Sequence, residues 1–256
     1  MARVSIATLE KAVRVTAPDG TGERETRALF NRASDPIHLH IHRLGAGATL
    51  NVSGDPTDVS LFVWEGLVEA GGVTLGPRSS AVVEYGASLG VKAGGEGAML
   101  LAFNLRDRDA DARAGHHVHI LPNEIVPRTE SLGGKEGVGG ALHADSQCPT
   151  CKVWLHENSY AMADKETAVH SHSEDEVIFV RAGTVRLGNQ LYGPGTALAI
   201  AANTKYGFFS GPDGLGFVNF RGTSPTFTSG DGKTVLDEAE LWRNLLGAPE
   251  YLESAT

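Results

Sequence analysis

The stretch His170-Ser171-His172-Ser173-Glu174-Asp175-Glu176, running on into Val177-Ile178-Phe179-Val180-Arg181-Ala182-Gly183, carries the deciding pattern of this chain. Residues two apart on a strand project from the same face, so His170 and His172 point together. Ser173, Glu174 and Asp175 make a turn, and a hairpin would set Glu176 opposite His172. The apolar run after Glu176 reads as a buried strand, where an unpaired carboxylate is costly. Two imidazoles and a carboxylate converging on one point suit a divalent transition metal with open positions for water, substrate or O₂. The competing reading is a surface turn that happens to be rich in His, Ser and acids.

Working outward, short apolar segments follow as TVRL, QLY, TALAIA, YGFFS and LGFVNFR. They are separated by Gly188-Asn189, Gly193-Pro194-Gly195, Asn203-Thr204 and Gly211-Pro212-Asp213-Gly214. Each separator has turn chemistry, and six strands without room for helices are expected to meander antiparallel and close into a barrel. The pattern also repeats. An offset of 117 places Gly183 on Gly66, Val185 on Val68, Gly188 on Gly71, Gly193-Pro194 on Gly76-Pro77, Gly214 on Gly97 and Phe220 on Phe103. Turn residues at equal spacing imply strands of equal length, hence a duplicated β-unit.

The chain of 256 residues has room for two domains. Its 32 glycines and short Val-, Leu-, Ile- and Phe-rich runs give an all-β texture. A net charge of −9 argues against a nucleic-acid partner, which needs clustered Lys and Arg. No apolar run of membrane-spanning length occurs and the N-terminal segment lacks a secretory pattern, so the expected location is cytoplasmic. Residues 1 to about 30 read as polar and mixed, Arg106 to Arg113 as a charged turn and Ser131 to Gly140 as a flexible linker. Thr234 and Asp237 open an apolar-periodic run through Leu241, Trp242, Leu245 and Leu246, closed by Gly247, which predicts a capped helix.

His170, His172, Glu176 and Gly183 stand at the spacing of the first motif of the cupin superfamily, which this segment resembles. The second motif is degraded: in IAANTKY, Ala201 replaces the usual proline, Asn203 the glycine, and Tyr206 the third metal-binding histidine. The resemblance implies two tandem cupin barrels of double-stranded β-helix (jelly-roll) type with a short C-terminal helix. The expected domains are a degenerate barrel over residues 31–115, a metal-binding barrel over 145–225 and a tail with a helix over 226–256. Transferring the motif by 117 lands on Ser53, Asp55, Val59 and Leu89, so metal is expected only in the second barrel. The resemblance also implies a homodimer.

Further candidates surround this centre. On Val153 to Tyr160, one face carries Trp154, His156, Asn158 and Tyr160, a mixture suited to a ligand pocket. Tyr206 and His156 are the catalytic candidates, as groups that orient substrate or move protons. Trp154 and Asn158 are the substrate-binding candidates. His38, His40 and His42 share a strand face without a carboxylate across a turn, and a structural role is expected for them and for His116, His117 and His119. Cys148-Pro149-Thr150-Cys151 has the CxxC spacing of redox pairs and zinc half-sites, with His143 and His156 nearby in sequence. A structural pair or reducible disulfide at the lip of the second barrel is the expectation there.

The function expected is a metal-dependent enzyme, first a non-haem Fe(II)-type dioxygenase acting on a small organic substrate. Fe(II) leads as the single divalent metal, with Mn, Ni, Zn and Cu compatible. The alternatives are a metal-dependent isomerase, lyase or aminohydrolase, and a non-catalytic bicupin that binds a small molecule or sugar.

Overall fold

The structure is a computed structural model that describes residues 4–107 and 115–253, so most of the charged turn expected over Arg106 to Arg113 lies outside the described residues. Two compact units emerge. The N-terminal unit comprises residues 10–107 and 115–126 with Cys148–Cys151 and 249–253; the C-terminal unit comprises 4–9, Pro127–Gln147 and Lys152–Ala248. Among the described residues, each is built on one antiparallel sheet, of ten and eleven strands respectively.

The repeat appears strand by strand. Glu176–Leu187 corresponds to Val59–Ala70 and Gln190–Tyr192 to Val73–Leu75, both at an offset of 117. Thr196–Ile200 and Tyr206–Arg221 match Ser80–Val83 and Ser88–Leu105 with ends that differ by a residue. The glycines explain why the spacing is so strict. Gly66 and Gly183 sit at φ of 77° and 63°, and a Cβ on them would lie 2.2 Å from Gly97 O and 2.3 Å from Gly214 O. Positive φ and a carbonyl in van der Waals overlap both forbid a side chain. Gly183→Ala is therefore expected to lower stability by about 2–4 kcal/mol, read from chemical denaturation. A change below about 0.5 kcal/mol would mean that the turn tolerates a side chain.

The strands do not meander. In the C-terminal sheet the order is Val4–Thr8, Thr196–Ile200, Glu176–Leu187, Tyr206–Arg221, Trp154–Tyr160, Val138–Ala144, Arg128–Thr129. Sequence neighbours are mostly separated. The expected hairpin between Glu166–His172 and Glu176–Leu187 is also corrected: Glu166–His172 pairs with Tyr206–Arg221 and Thr226–Ser229. The reason is that Thr196–Ile200 and Tyr206–Arg221 already fill both edges of Glu176–Leu187. Three residues at Ser173–Asp175 therefore cross over rather than double back.

Three local expectations change with the structure. The presumed linker, Ser131 to Gly140, ends inside Val138–Ala144, a strand buried along its whole length, whose Gly-Gly-Ala composition suits close packing rather than flexibility. The mixed N-terminal segment contains Val4–Thr8, which pairs with Thr196–Ile200, and Arg24–Phe30, four of whose seven residues are buried. The C-terminal helix, Glu238–Leu246, forms as expected, with the Asp237 side chain accepting from Glu240 N at its start and Gly247 at its end.

The interior of the N-terminal unit is aliphatic. Leu50, Val52, Leu61, Val63, Leu89, Val91, Leu100 and Ala102 belong to one buried cluster. Where the C-terminal unit pairs Glu176 with Arg221 and Ile178 with Asn219, the N-terminal unit pairs Val59 with Asn104 and Leu61 with Ala102. Hydrophobic packing has replaced the polar row.

Candidate functional site

Strand register assembles a polar cluster inside the C-terminal unit. On three adjacent strands Trp154, Arg221 and Glu176 stand in one row and His156, Asn219 and Ile178 in the next. Partners in register project from the same face, so this face of Trp154–Tyr160 is the inward one, as its mixed polar and aromatic character suggested. His170 pairs with Tyr206 across a fourth strand. Of these residues His156, Ile178, His170, Tyr206, Asn219 and Arg221 line a cavity of about 490 Å³, whose walls also include Asn158, Phe208, Phe217, Phe227 and Trp242, whereas Trp154 and Glu176 stand behind that lining.

The two imidazoles of the motif lie with ring centroids 5.0 Å apart, and the Tyr206 ring is 4.5 Å from that of His170. His170 Nδ1 stands 2.7 Å from Ala168 O, and burial holds its pKa down, so the ring is neutral and donates there. His172 Nδ1 is 3.0 Å from Glu238 Oε2, an ion-pair distance at an angle short of a hydrogen bond. In both rings Nε2 is left as the nitrogen available to a ligand.

Glu176 is held by donors. Asn219 Nδ2 donates to its Oε2 at 2.8 Å and Arg221 Nη2 at 2.7 Å, and the Tyr206 hydroxyl donates to the same carboxylate. Burial raises the Glu176 pKa, but Arg221, His172 and these hydrogen bonds outweigh it, and the net direction is down. Glu238 behaves likewise, with Arg221 Nη1 3.4 Å from its Oε2, and stays ionised. Tyr206 is pushed well up by burial and by Glu176, which keeps it a neutral phenol. Burial, then Arg221, brings His156 down to about 3, so it is a neutral imidazole whose ring lies tilted against Trp242 with centroids 4.5 Å apart. Arg221 Nε and His156 Nδ1 are buried without a hydrogen-bond partner.

No family model matches the chain, and no curated protein does. Solved structures do match. Protein Ylba from E. coli aligns with a TM-score of 0.67 at 13% identity over 86% of this chain and 90% of its own. An oxalate decarboxylase–formate complex from Lactobacillus farciminis aligns at 0.67 and 12% over 88% of each chain. A candidate dioxygenase from Nostoc punctiforme aligns at 0.64 and 13% over 93% and 87%. The chain has the cupin fold. At these identities the likeness speaks for the fold of this chain and not for its chemistry. No helix among its described residues is long and apolar enough to cross a membrane.

The motif residues of the chain meet in part. His170 and His172 present themselves to the cavity as metal ligands do, with Nδ1 against an acceptor. Glu176 has turned its Oε2 to Arg221, a cation where the hairpin reading expected none. Consequently these three are not among the groups of ligand atoms within 4.8 Å of one another found in the described residues. The donor set suits a divalent cation provided that Glu176 is shared, one oxygen to the metal and the other to Arg221.

The other candidates separate clearly. His38, His40 and His42 lie along one strand face at ring spacings of 6.3 and 6.4 Å, with His42 Nδ1 2.8 Å from Thr26 Oγ1. Burial brings His40 down to about 4 and His42 to about 3, as suits neutral packing residues. The cysteines contradict expectation. They are free thiols, belong to the N-terminal unit, and lie near Glu84 and His119 rather than His143 or His156. His143 bonds instead to Glu157 at 2.9 Å. Sequence reasoning missed Asn219, Arg221 and Glu238. The first two were visible only as the end of an apolar strand, although their i, i+2 spacing does mark a shared face.

Proposed function

We propose that the cavity of the C-terminal unit is the active site of a metal-dependent cupin enzyme acting on a small organic acid, with His170, His172 and Glu176 as the metal ligands. One observation carries the reading: both imidazoles have Nδ1 against an acceptor, Ala168 O or Glu238, and Nε2 free. That is how ligating histidines are supported. A divalent metal held there supplies Lewis acidity and, as Fe(II), a place for O₂.

The chain's own groups define the substrate. Arg221 lines the cavity with a buried Nε–H that lacks a partner, and an unmet donor of that kind is an energetic penalty that a carboxylate relieves. Phe208, Phe217, Phe227 and Trp242 take the apolar body. Asn158 orients polar substituents, and Trp154 holds His156 in place from a ring distance of 5.6 Å. Tyr206, a neutral phenol, donates a proton or hydrogen bond; His156, a neutral imidazole, accepts one.

The first reaction reading is a dioxygenase of the Fe(II) type. A lyase or aminohydrolase reading is favoured by Tyr206 and His156, a neutral hydrogen-bond donor and a neutral acceptor that can orient a substrate without O₂. The fold-similar oxalate decarboxylase was crystallised with formate, itself a carboxylate. A homodimer is the assembly that fits this reading. Protein loaded anaerobically with Fe(II) or Mn(II) is tested against a panel of small carboxylic acids with O₂ uptake and product followed together. Uptake coupled to substrate loss supports the first reading, turnover without O₂ the second, and saturable binding without turnover removes the enzyme assignment.

Tyr206→Phe is expected to keep the metal and to lower kcat by about 10²–10³-fold, the contribution of one positioned hydrogen-bond donor. The Fe(III) form of the wild-type protein should lack a phenolate-to-iron absorption band. Such a band, lost in Tyr206→Phe, would make Tyr206 a ligand instead.

A further inference from the structure

In the N-terminal unit, Glu84, His119, Cys148 and Cys151 each offer a ligand atom, and all four atoms lie within 4.8 Å of one another. They come from three separate segments. Glu84 follows the strand Ser80–Val83, and His119 lies on Val118–Leu121, which pairs with that strand in register His119 to Val82. The cysteines flank a Pro-Thr turn. Glu84, His119 and Cys151 are buried, whereas Cys148 is half exposed and leaves a route for entry.

We propose that these four residues form a zinc site. Two thiolates, one imidazole and one carboxylate make a four-coordinate set of borderline-soft character, which suits Zn²⁺ better than the hard cations that prefer all-oxygen shells. The surroundings already orient the ligands. Glu84 accepts from His117 N at 3.1 Å through Oε2 and from Thr150 Oγ1 at 2.5 Å through Oε1. Cys151 N donates to Cys148 Sγ at 3.4 Å, a contact that favours the thiolate. Space is reserved as well, since a Cβ on Gly115 would lie 1.6 Å from Glu84 Oε2. His119 Nε2 and Glu84 Oε1 are 2.6 Å apart, so one proton holds them together when no cation is present. Binding releases that proton and any remaining thiol proton to solvent. Four protein ligands leave no open position, so the site is structural: it fastens the Cys148–Cys151 turn to the two strands of its own unit. The segment after Cys148 is not helical, so the support that redox CxxC pairs draw from a helix N-terminus is missing.

The test uses the full-length chain, stripped of metal under reducing conditions and titrated with Zn²⁺ and, for its spectrum, Co²⁺. Expected are one tightly held Zn²⁺ attributable to this site, a sulfur-to-cobalt charge-transfer band and the strong visible bands of tetrahedral Co²⁺. Cys151→Ser should weaken Zn²⁺ binding by more than about 100-fold, beyond the loss typical of an outer-shell partner. His170→Ala should leave the sulfur band unchanged. Wild-type protein without a sulfur-to-cobalt band, or isolated with a Cys148–Cys151 disulfide and no zinc, overturns the proposal whether or not the cysteine variant folds.

Discussion

Arg221→Ala should be the most destabilising substitution at the site, by about 3–5 kcal/mol, because it leaves two buried carboxylates without their common cation. Arg221 is 1% exposed and approaches both Glu176 Oε2 and Glu238 Oε2. Its pH signature separates this cause from lost packing. In the wild-type protein both carboxylates have folded pKa values below the ordinary range. Their stabilisation is present above the unfolded value of about 4.3 and is lost as pH falls through the folded values. Without Arg221, desolvation dominates and both pKa values should rise above the unfolded one. The sign then reverses: measured against the wild type, whose buried neutral histidines themselves cost stability on acidification, the variant should gain stability as pH is lowered from 7 to 5. The difference in denaturation midpoint between variant and wild type across that range decides it, and a difference that does not narrow toward pH 5 would show that Arg221 acts by packing alone. Added divalent metal should also rescue the variant more than the wild type.

His170→Ala and His172→Ala should each reduce turnover by at least about 10³-fold, equivalent to about 4 kcal/mol of transition-state stabilisation. Each removes one of the two nitrogens free to hold a cation, and one imidazole with a carboxylate already committed to Arg221 cannot replace it. His172→Ala carries a second effect, because Glu238 then loses its contact at 3.0 Å. The pair should therefore differ in stability while agreeing in activity. Retained turnover in either variant with full folding would take the chemistry away from these residues.

How much of this was legible follows from the range of each interaction. Turn glycines such as Gly66 and Gly183 report a local backbone requirement, so the repeat and the strand lengths could be read directly. The His-x-His face is equally local. The partner of Glu176 was not legible, because the register that sets Arg221 beside it joins residues 45 apart. The crossover at Ser173–Asp175 looked like a hairpin since nothing nearby in sequence reveals that both edges of Glu176–Leu187 are filled. The start of Val138–Ala144, up to Gly140, passed for a linker because small residues serve flexible segments and tightly packed strands alike. The CxxC could be noticed but not completed. Its partners Glu84 and His119 precede it by 64 and 29 positions or more, and only the pairing of Val118–Leu121 with Ser80–Val83 brings them together.

The most direct measurement is the metal content and turnover of His170→Ala/His172→Ala beside Cys148→Ser/Cys151→Ser, each as full-length protein loaded under the same conditions. The expected result is two metals per chain in the wild type. The histidine variant should lose one metal and all turnover while keeping the sulfur-bound metal, and the cysteine variant should lose the other metal while keeping turnover at least in part. A histidine variant that keeps the wild-type metal content and turnover would contradict the assignment of the active site to the cavity of the C-terminal unit.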